Sequence, residues 1–191
     1  MSVTYDPTVL PADLPRPVDD GACAHLVGMR VPALALPATD GTTVDLSVPA
    51  TGRTVIYAYP RTGLPNVLMP PGWDDIPGAR GCTPESCAFR DHHAELRGLG
   101  ARIFGLSAQA TAYQRELVER LHLPFAILSD ADLTLTKALR LPTFAIDGMV
   151  LIKRLTLVIR DGVIEHVFYP IFPPDAHADE VCRWLANNRI A

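Results

Sequence analysis

The sequence predicts an α/β fold: a central β-sheet flanked by helices, with a β-hairpin at its N-terminal side. Three observations point there. From residue 54 onward, short β-branched or apolar runs alternate with longer amphipathic segments. Asp-Gly dipeptides at 40–41 and 161–162 sit between alternating apolar runs, as hairpin turns do. The 191 residues are 48% hydrophobic and 20% charged, an ordinary globular balance. A chain of this length buries roughly 70% of its unfolded surface, enough for a core without disulfide or metal staples.

Taken in order, residues 1–27 are rich in proline and aspartate and read as a surface arm, partly disordered, preceding one domain over 28–191. Val31 to Ser47 forms two short runs around Asp40-Gly41, an opening hairpin. Thr54–Tyr59 (TVIYAY) is short and apolar enough for a buried central strand, stopped by Pro60. A helix follows over about Pro84–Leu99, a strand over Arg102–Leu106, a helix over Thr111–Leu121 and a strand over Phe125–Leu128. This is the βαβ rhythm. A short helix near Asp132–Leu139, a hairpin of Arg154–Ile159 and Val163–Phe168, and a last helix over Ala178–Asn188 complete the chain. The last helix sets Val181, Cys182, Trp184 and Leu185 on one apolar face.

One segment breaks the rhythm. The 21 residues between Pro60 and Cys82 hold four prolines and four glycines, which is long for a structureless connection. This insertion, 61–80 within the domain, also carries Leu64, Val67, Leu68, Met69, Trp73 and Ile76, an apolar load suited to packing. An ordered surface loop, a pocket wall or lid, and an oligomer contact are its three readings.

Charge and hydropathy exclude whole classes of function. Seventeen basic residues stand against 21 acidic ones, for a net charge of −4, and no basic cluster exists to grip a phosphate backbone, so nucleic acid is not an expected partner. The start of the chain lacks the cationic and apolar pattern of a secretory signal. Phe144–Ile159, the most apolar long stretch, is interrupted by Asp147, Lys153 and Arg154, so no membrane span is expected. The expected location is cytoplasmic, where cysteines are more often buried, catalytic or metal-binding than structurally paired.

The informative segment is GCTPESC, Gly81–Cys87. Thr83 suits an N-cap, Pro84 the first helical position and Glu85 the first turn, which sets Cys82 at a helix N-terminus. Unpaired N–H groups there favour a thiolate, and such placement lowers a cysteine pKa from about 8.5 into the range of about 3.5–7.5. Cys87 follows five residues later. The helical rise alone then separates the two by about 7.5 Å, beyond the ~6.8 Å Cα limit of a disulfide, so pairing requires the first turn to unwind. Cys87 as a small buried residue, or the pair as half of a zinc site, are the alternatives. Zinc finds little support, because no second ligand pair of suitable spacing appears and His92 and His93 lie over two turns down the helix. Neither a metal nor any cofactor is expected. Cys182 reads as core, and Cys23 as a free thiol or an alternative resolving partner.

In four segments the sequence resembles the peroxiredoxins, specifically the Q-type, or bacterioferritin comigratory protein, branch. These are GMRVPALALPATDGTTVDLS (Gly28–Ser47), VIYAYP, GCTPESCAFRD (Gly81–Asp91) and KRLTLVIRDGVIEHVF, and the resemblance extends over about Gly28 to Leu185. It implies a thioredoxin-like fold with a mixed sheet and thiol-dependent reduction of hydroperoxides. By that resemblance Cys82 maps to the peroxidatic cysteine, Cys87 to the resolving one, and Arg154 to the arginine bordering the site, where it would hold the thiolate ionised and polarise the peroxide. A thioredoxin or glutaredoxin-like dithiol would be the reductant, and the protein a monomer or homodimer.

The chain departs from that pattern between Pro60, which keeps the family's proline, and Cys82, where the insertion separates the two and a hydroxyl is missing. The family carries Thr or Ser three residues before the peroxidatic cysteine, and here that residue is Ala79. Thr62 could supply the missing hydroxyl if the insertion folds back, and an unreplaced hydroxyl would mean weaker activity or bulkier substrates. The resulting expectation is a peroxidase acting on hydrogen peroxide and organic hydroperoxides through a Cys82–Cys87 disulfide. The alternative is a thiol-disulfide oxidoreductase, or a redox sensor with little turnover.

Overall fold

The computed structural model describes residues 5–190, so the first four residues of the expected arm and the last residue of the expected domain lie outside it. At its centre is a five-stranded mixed sheet in the order β5-β4-β3-β8-β9. Strands β3 (Arg53–Ala58), β4 (Ala101–Ser107) and β5 (Ile127–Ser129) run parallel, whereas β8 (Leu155–Arg160) lies antiparallel to β3, and β9 (Val163–Phe168) to β8. Every residue of β3 is buried, as a strand covered on both faces must be. The opening hairpin, β1 (Ala35–Pro37) with β2 (Thr43–Asp45), forms a separate two-stranded sheet.

The alternation of side chains along β3 divides the core in two. Val55, Tyr57 and Tyr59 face one layer with Phe89, Leu96, Leu117, Val181 and Leu185, contributed by the helices α1 (Cys82–Asp91), α2 (His93–Gly98), α3 (Thr111–Leu121) and α5 (His177–Asn187). Ile56 and Ala58 face the other, with Leu26, Val31, Leu36, and Leu135 and Leu139 of α4 (Thr134–Leu139). The arm is thus part of the second layer: Leu26 is fully buried, and Gly28 N–H donates to the Ile164 carbonyl at 2.8 Å.

Several elements differ from expectation for identifiable reasons. The cysteine helix begins at Cys82 and breaks at His92 into two pieces, where a single helix over Pro84–Leu99 was expected. Asp40-Gly41 belongs to a longer connection in which Asp40 Oδ1 accepts from the Thr42 N–H and hydroxyl, because β1 ends at Pro37. The other expected turn, Asp161-Gly162, has positive φ at both residues (52° and 72°), the two-residue turn that matches strand twist. Asp147 and Gly148 repeat it (50° and 72°), closing a hairpin of β6 (Thr143–Ile146) and β7 (Met149–Ile152) that the apolar run 144–159 had concealed.

That unforeseen hairpin explains the apolar load of the insertion. Trp73, in a single 3₁₀ turn over Trp73–Asp75, is buried against Ala79 and Leu151, with Met69, Ile76, Phe144 and Met149 around them. Its indole lies 6.1 Å from the Phe144 ring. The loop is therefore held by a small third core of its own. Trp73→Ala should remove that anchor and lower unfolding stability by about 3 kcal/mol, as large-to-small core changes do. Denaturant unfolding measures it, and a loss below about 0.5 kcal/mol, typical of surface changes, would mean that the loop is not so anchored.

Candidate active site

Cys82 is the first residue of α1, and what precedes it sets the helix entry. Gly81 occupies the N-cap with φ 101°, a left-handed conformation, and a Cβ there would lie 2.3 Å from Pro174 Cγ. Only glycine fits. Thr83 is therefore a buried helical residue and not the expected cap, since the loop enters in a conformation that a threonine would resist.

Arg154, the residue immediately before β8, reaches the sulfur. Its Nη2 lies 3.2 Å from Cys82 Sγ and donates also to the carbonyls of Arg80 (3.1 Å) and Ala79 (3.3 Å), while Nε donates to the Gly78 carbonyl at 3.2 Å. Nη1 donates to Glu85 Oε2 in a fully buried ion pair. One guanidinium thus binds the Cys82 sulfur, a neighbouring carboxylate and three successive carbonyls of the insertion. Glu85, one turn into α1, was legible only as a helpful first-turn anion, because nothing in the spacing ties position 85 to 154.

The helix N-terminus does not by itself decide the thiol's pKa. Burial pushes the Cys82 thiol up, Arg154 and the Arg61 backbone N–H pull it back, and the Glu85 carboxylate pushes it up again, leaving it above its ordinary value. This corrects the expectation of a depressed thiol. Glu85 is itself raised by burial against the pull of Arg154.

The remaining expected residues fall in different places. Cys87 lies one and a half turns further along the intact α1, half-buried, with its thiol pushed up by burial and drawn down by Arg90. Thr62 is buried with its hydroxyl 3.1 Å from Gln109 Oε1, its N–H donates to the same atom at 2.9 Å, and its carbonyl accepts from Tyr113. The Thr62 hydroxyl is thus engaged with Gln109 and not with the Cys82 sulfur. Cys23 is buried in the core layer on the other side of the sheet from Cys82, its thiol pushed up to about 12 by burial.

A cavity of about 280 Å³ opens beside Arg154. Ile76, Pro77 and Gly78 of the insertion form one wall, and Phe144, Ile171 and Val18 contribute others. The loop thus lines a pocket and does not simply lie over the surface.

Residues 26–182 match the redoxin family. Peroxiredoxin Q of rice, a chloroplastic protein, is 28% identical over 190 residues, covering 98% of this chain and 80% of its own. The crystal structure of peroxidoxin BcpB from Mycobacterium tuberculosis is 29% identical, with a TM-score of 0.68 over 87% of this chain and all of that one. The chain belongs to the redoxin family, in its Q-type peroxiredoxin branch. As such it is a thiol-dependent peroxidase. The bacterioferritin comigratory protein of Xanthomonas campestris, at 22% identity and a TM-score of 0.64, covering 92% of this chain and 99% of that one, shares the thioredoxin-like fold. The expected mixed sheet, flanking helices and N-terminal hairpin are all present. No helix among the described residues is long and apolar enough to cross a membrane.

In this peroxiredoxin the Cys82 titration follows from its burial and then from the charges around it. The thiol is raised, so the thiolate fraction, and with it alkylation by iodoacetamide, should increase as pH rises through and beyond neutrality. Glu85→Gln removes the anion that competes for Arg154 and should move the alkylation profile of Cys82 to lower pH. A shift to higher pH would contradict this reading of the site.

Proposed function

We propose that Cys82 is the peroxidatic nucleophile and Cys87 the resolving thiol of this peroxidase. The carrying observation is the 3.2 Å contact between Arg154 Nη2 and Cys82 Sγ at the start of the helix that also bears Cys87. The Cys82 thiolate attacks the distal oxygen of a hydroperoxide, the O–O bond breaks, and the departing oxygen takes a proton to leave as water or an alcohol. Cys82 is then a sulfenic acid. Arg154, a fixed cation beside the reacting sulfur, favours the anionic charge along that path. After the first turn of α1 unwinds, the Cys87 thiol attacks the sulfenic sulfur and expels water, forming the disulfide. An external dithiol of the thioredoxin or glutaredoxin kind returns both thiols by exchange.

Hydrogen peroxide and organic hydroperoxides are the proposed substrates. Arg154 touches the Cys82 sulfur and also lines the cavity that holds Ile76, Phe144 and Ile171, which supports room for an alkyl substituent. Arg154 is the proposed catalytic cation. Thr62, held by Gln109 and Tyr113, fits a role in positioning the loop that presents the Arg61 N–H to the sulfur. We place the chain in a reducing compartment, the cytoplasm, where a dithiol donor is at hand. A redox sensor of low turnover is the second reading, favoured by Ala79 in the hydroxyl position and by the upward shift of Cys82.

Peptide mass mapping after one equivalent of hydrogen peroxide tests the cycle. We expect a Cys82–Cys87 disulfide in the wild type, an oxidised Cys82 trapped in Cys87→Ser, and no rapid reaction in Cys82→Ser. A Cys82 that stays reduced in the wild type would refute the peroxidatic assignment.

A further inference from the structure

Away from the Cys82 site, α2 and α5 bring three metal-ligating side chains together. His92 sits at the break between α1 and α2, Glu95 lies one turn further on, and Cys182 comes from the middle of α5. Their donor atoms all lie within 4.8 Å of one another. His92 Nδ1 is 3.0 Å from Glu95 Oε2 and 3.9 Å from Cys182 Sγ. With metal–sulfur and metal–nitrogen bonds of about 2.3 and 2.0–2.1 Å, the edges of a tetrahedral zinc site run to about 3.3–3.6 Å. The observed separations bracket that range, so a small rotation of side chains suffices.

We propose that Cys182, His92 and Glu95 form a binding site for a zinc-class divalent cation, with a fourth position left to water. The donor set of one sulfur, one imidazole nitrogen and one carboxylate oxygen is of the type zinc accepts. Among the described residues the side-chain partner of Glu95 is His92 alone, while Asp179 is engaged by Arg183 at 3.0 Å. Binding displaces the Cys182 proton to solvent and leaves two anionic ligands on the dication.

The position has a structural consequence. A metal on His92 ties the end of α1 to α5, while the first turn of α1, with Cys82, remains free of the clamp. The site stands apart from the peroxidatic assignment and does not depend on it.

Cobalt(II) is the probe, because a cysteine thiolate on that ion gives a ligand-to-metal charge-transfer band. In a Cys82→Ser/Cys87→Ser background, Cys182 is retained and Cys23 is buried on the other side of the sheet. That background should bind one cobalt ion with the band, and zinc should displace it. Adding Cys182→Ser should abolish the band, and His92→Ala or Glu95→Gln should weaken binding at least about tenfold. A background that folds but shows no band, or a band unchanged in Cys182→Ser, overturns the site. A second measurement guards against a background that fails to fold. Zinc should raise the melting temperature of the wild type more than that of His92→Ala, and equal shifts in the two would equally refute the proposal.

Discussion

The arrangement around Cys82 depends on the burial of one cation. Arg154 is 3% exposed, and a guanidinium removed from water is tolerated only when its charge is paired and its donors are used. Here they are used on Glu85, on Cys82 and on the carbonyls of Gly78, Ala79 and Arg80. Because the guanidinium is planar and forked, those five acceptors cannot move independently. The end of the insertion, the first turn of α1 and the start of β8 are thereby fixed relative to one another. The third hydrophobic cluster, in which Trp73 packs on the β6–β7 hairpin, holds the same loop from its other side.

This constraint also sets the chemistry of the sulfur. A helix N-terminus and an arginine both favour a thiolate, but full burial and the shared carboxylate oppose it, and the opposing pair prevails. The charge of Arg154 is divided between Glu85 and Cys82, so the thiol gains only part of it. The Cys82 sulfur is consequently a thiol whose anion forms sparingly, next to an arginine that also lines the cavity walled by the insertion.

Much of this could be read from the residues, and what could not has physical causes. The βαβ rhythm, the hairpin at Asp161-Gly162 and the helix over Thr111–Leu121 are local patterns, and each appears where its pattern lies. GCTPESC marked the start of α1, where Cys82 meets Arg154, the arginine that the resemblance to the Q-type branch singled out. The β6–β7 hairpin was hidden because its turn, Asp147-Gly148, lies inside a nearly continuous apolar stretch whose period does not separate strand from core. The helix start was displaced because the cap is chosen by the backbone conformation at Gly81, which a preference for threonine caps cannot anticipate. Glu85, the Gln109 contact to Thr62 and the meeting of His92 with Cys182 all join residues far apart in the chain, and no spacing rule connects them.

The central claim is that the forked shape of Arg154, and not its charge alone, organises the surroundings of the Cys82 sulfur. Single-turnover reaction of the reduced protein with a hydroperoxide, followed by stopped-flow fluorescence in the wild type and in Arg154→Lys, tests it most directly, with circular dichroism confirming the fold. The account predicts a rate lower by about 10²-fold or more, because an ammonium cannot serve sulfur, carboxylate and loop carbonyls at once. A folded Arg154→Lys protein reacting within about threefold of the wild type would contradict it.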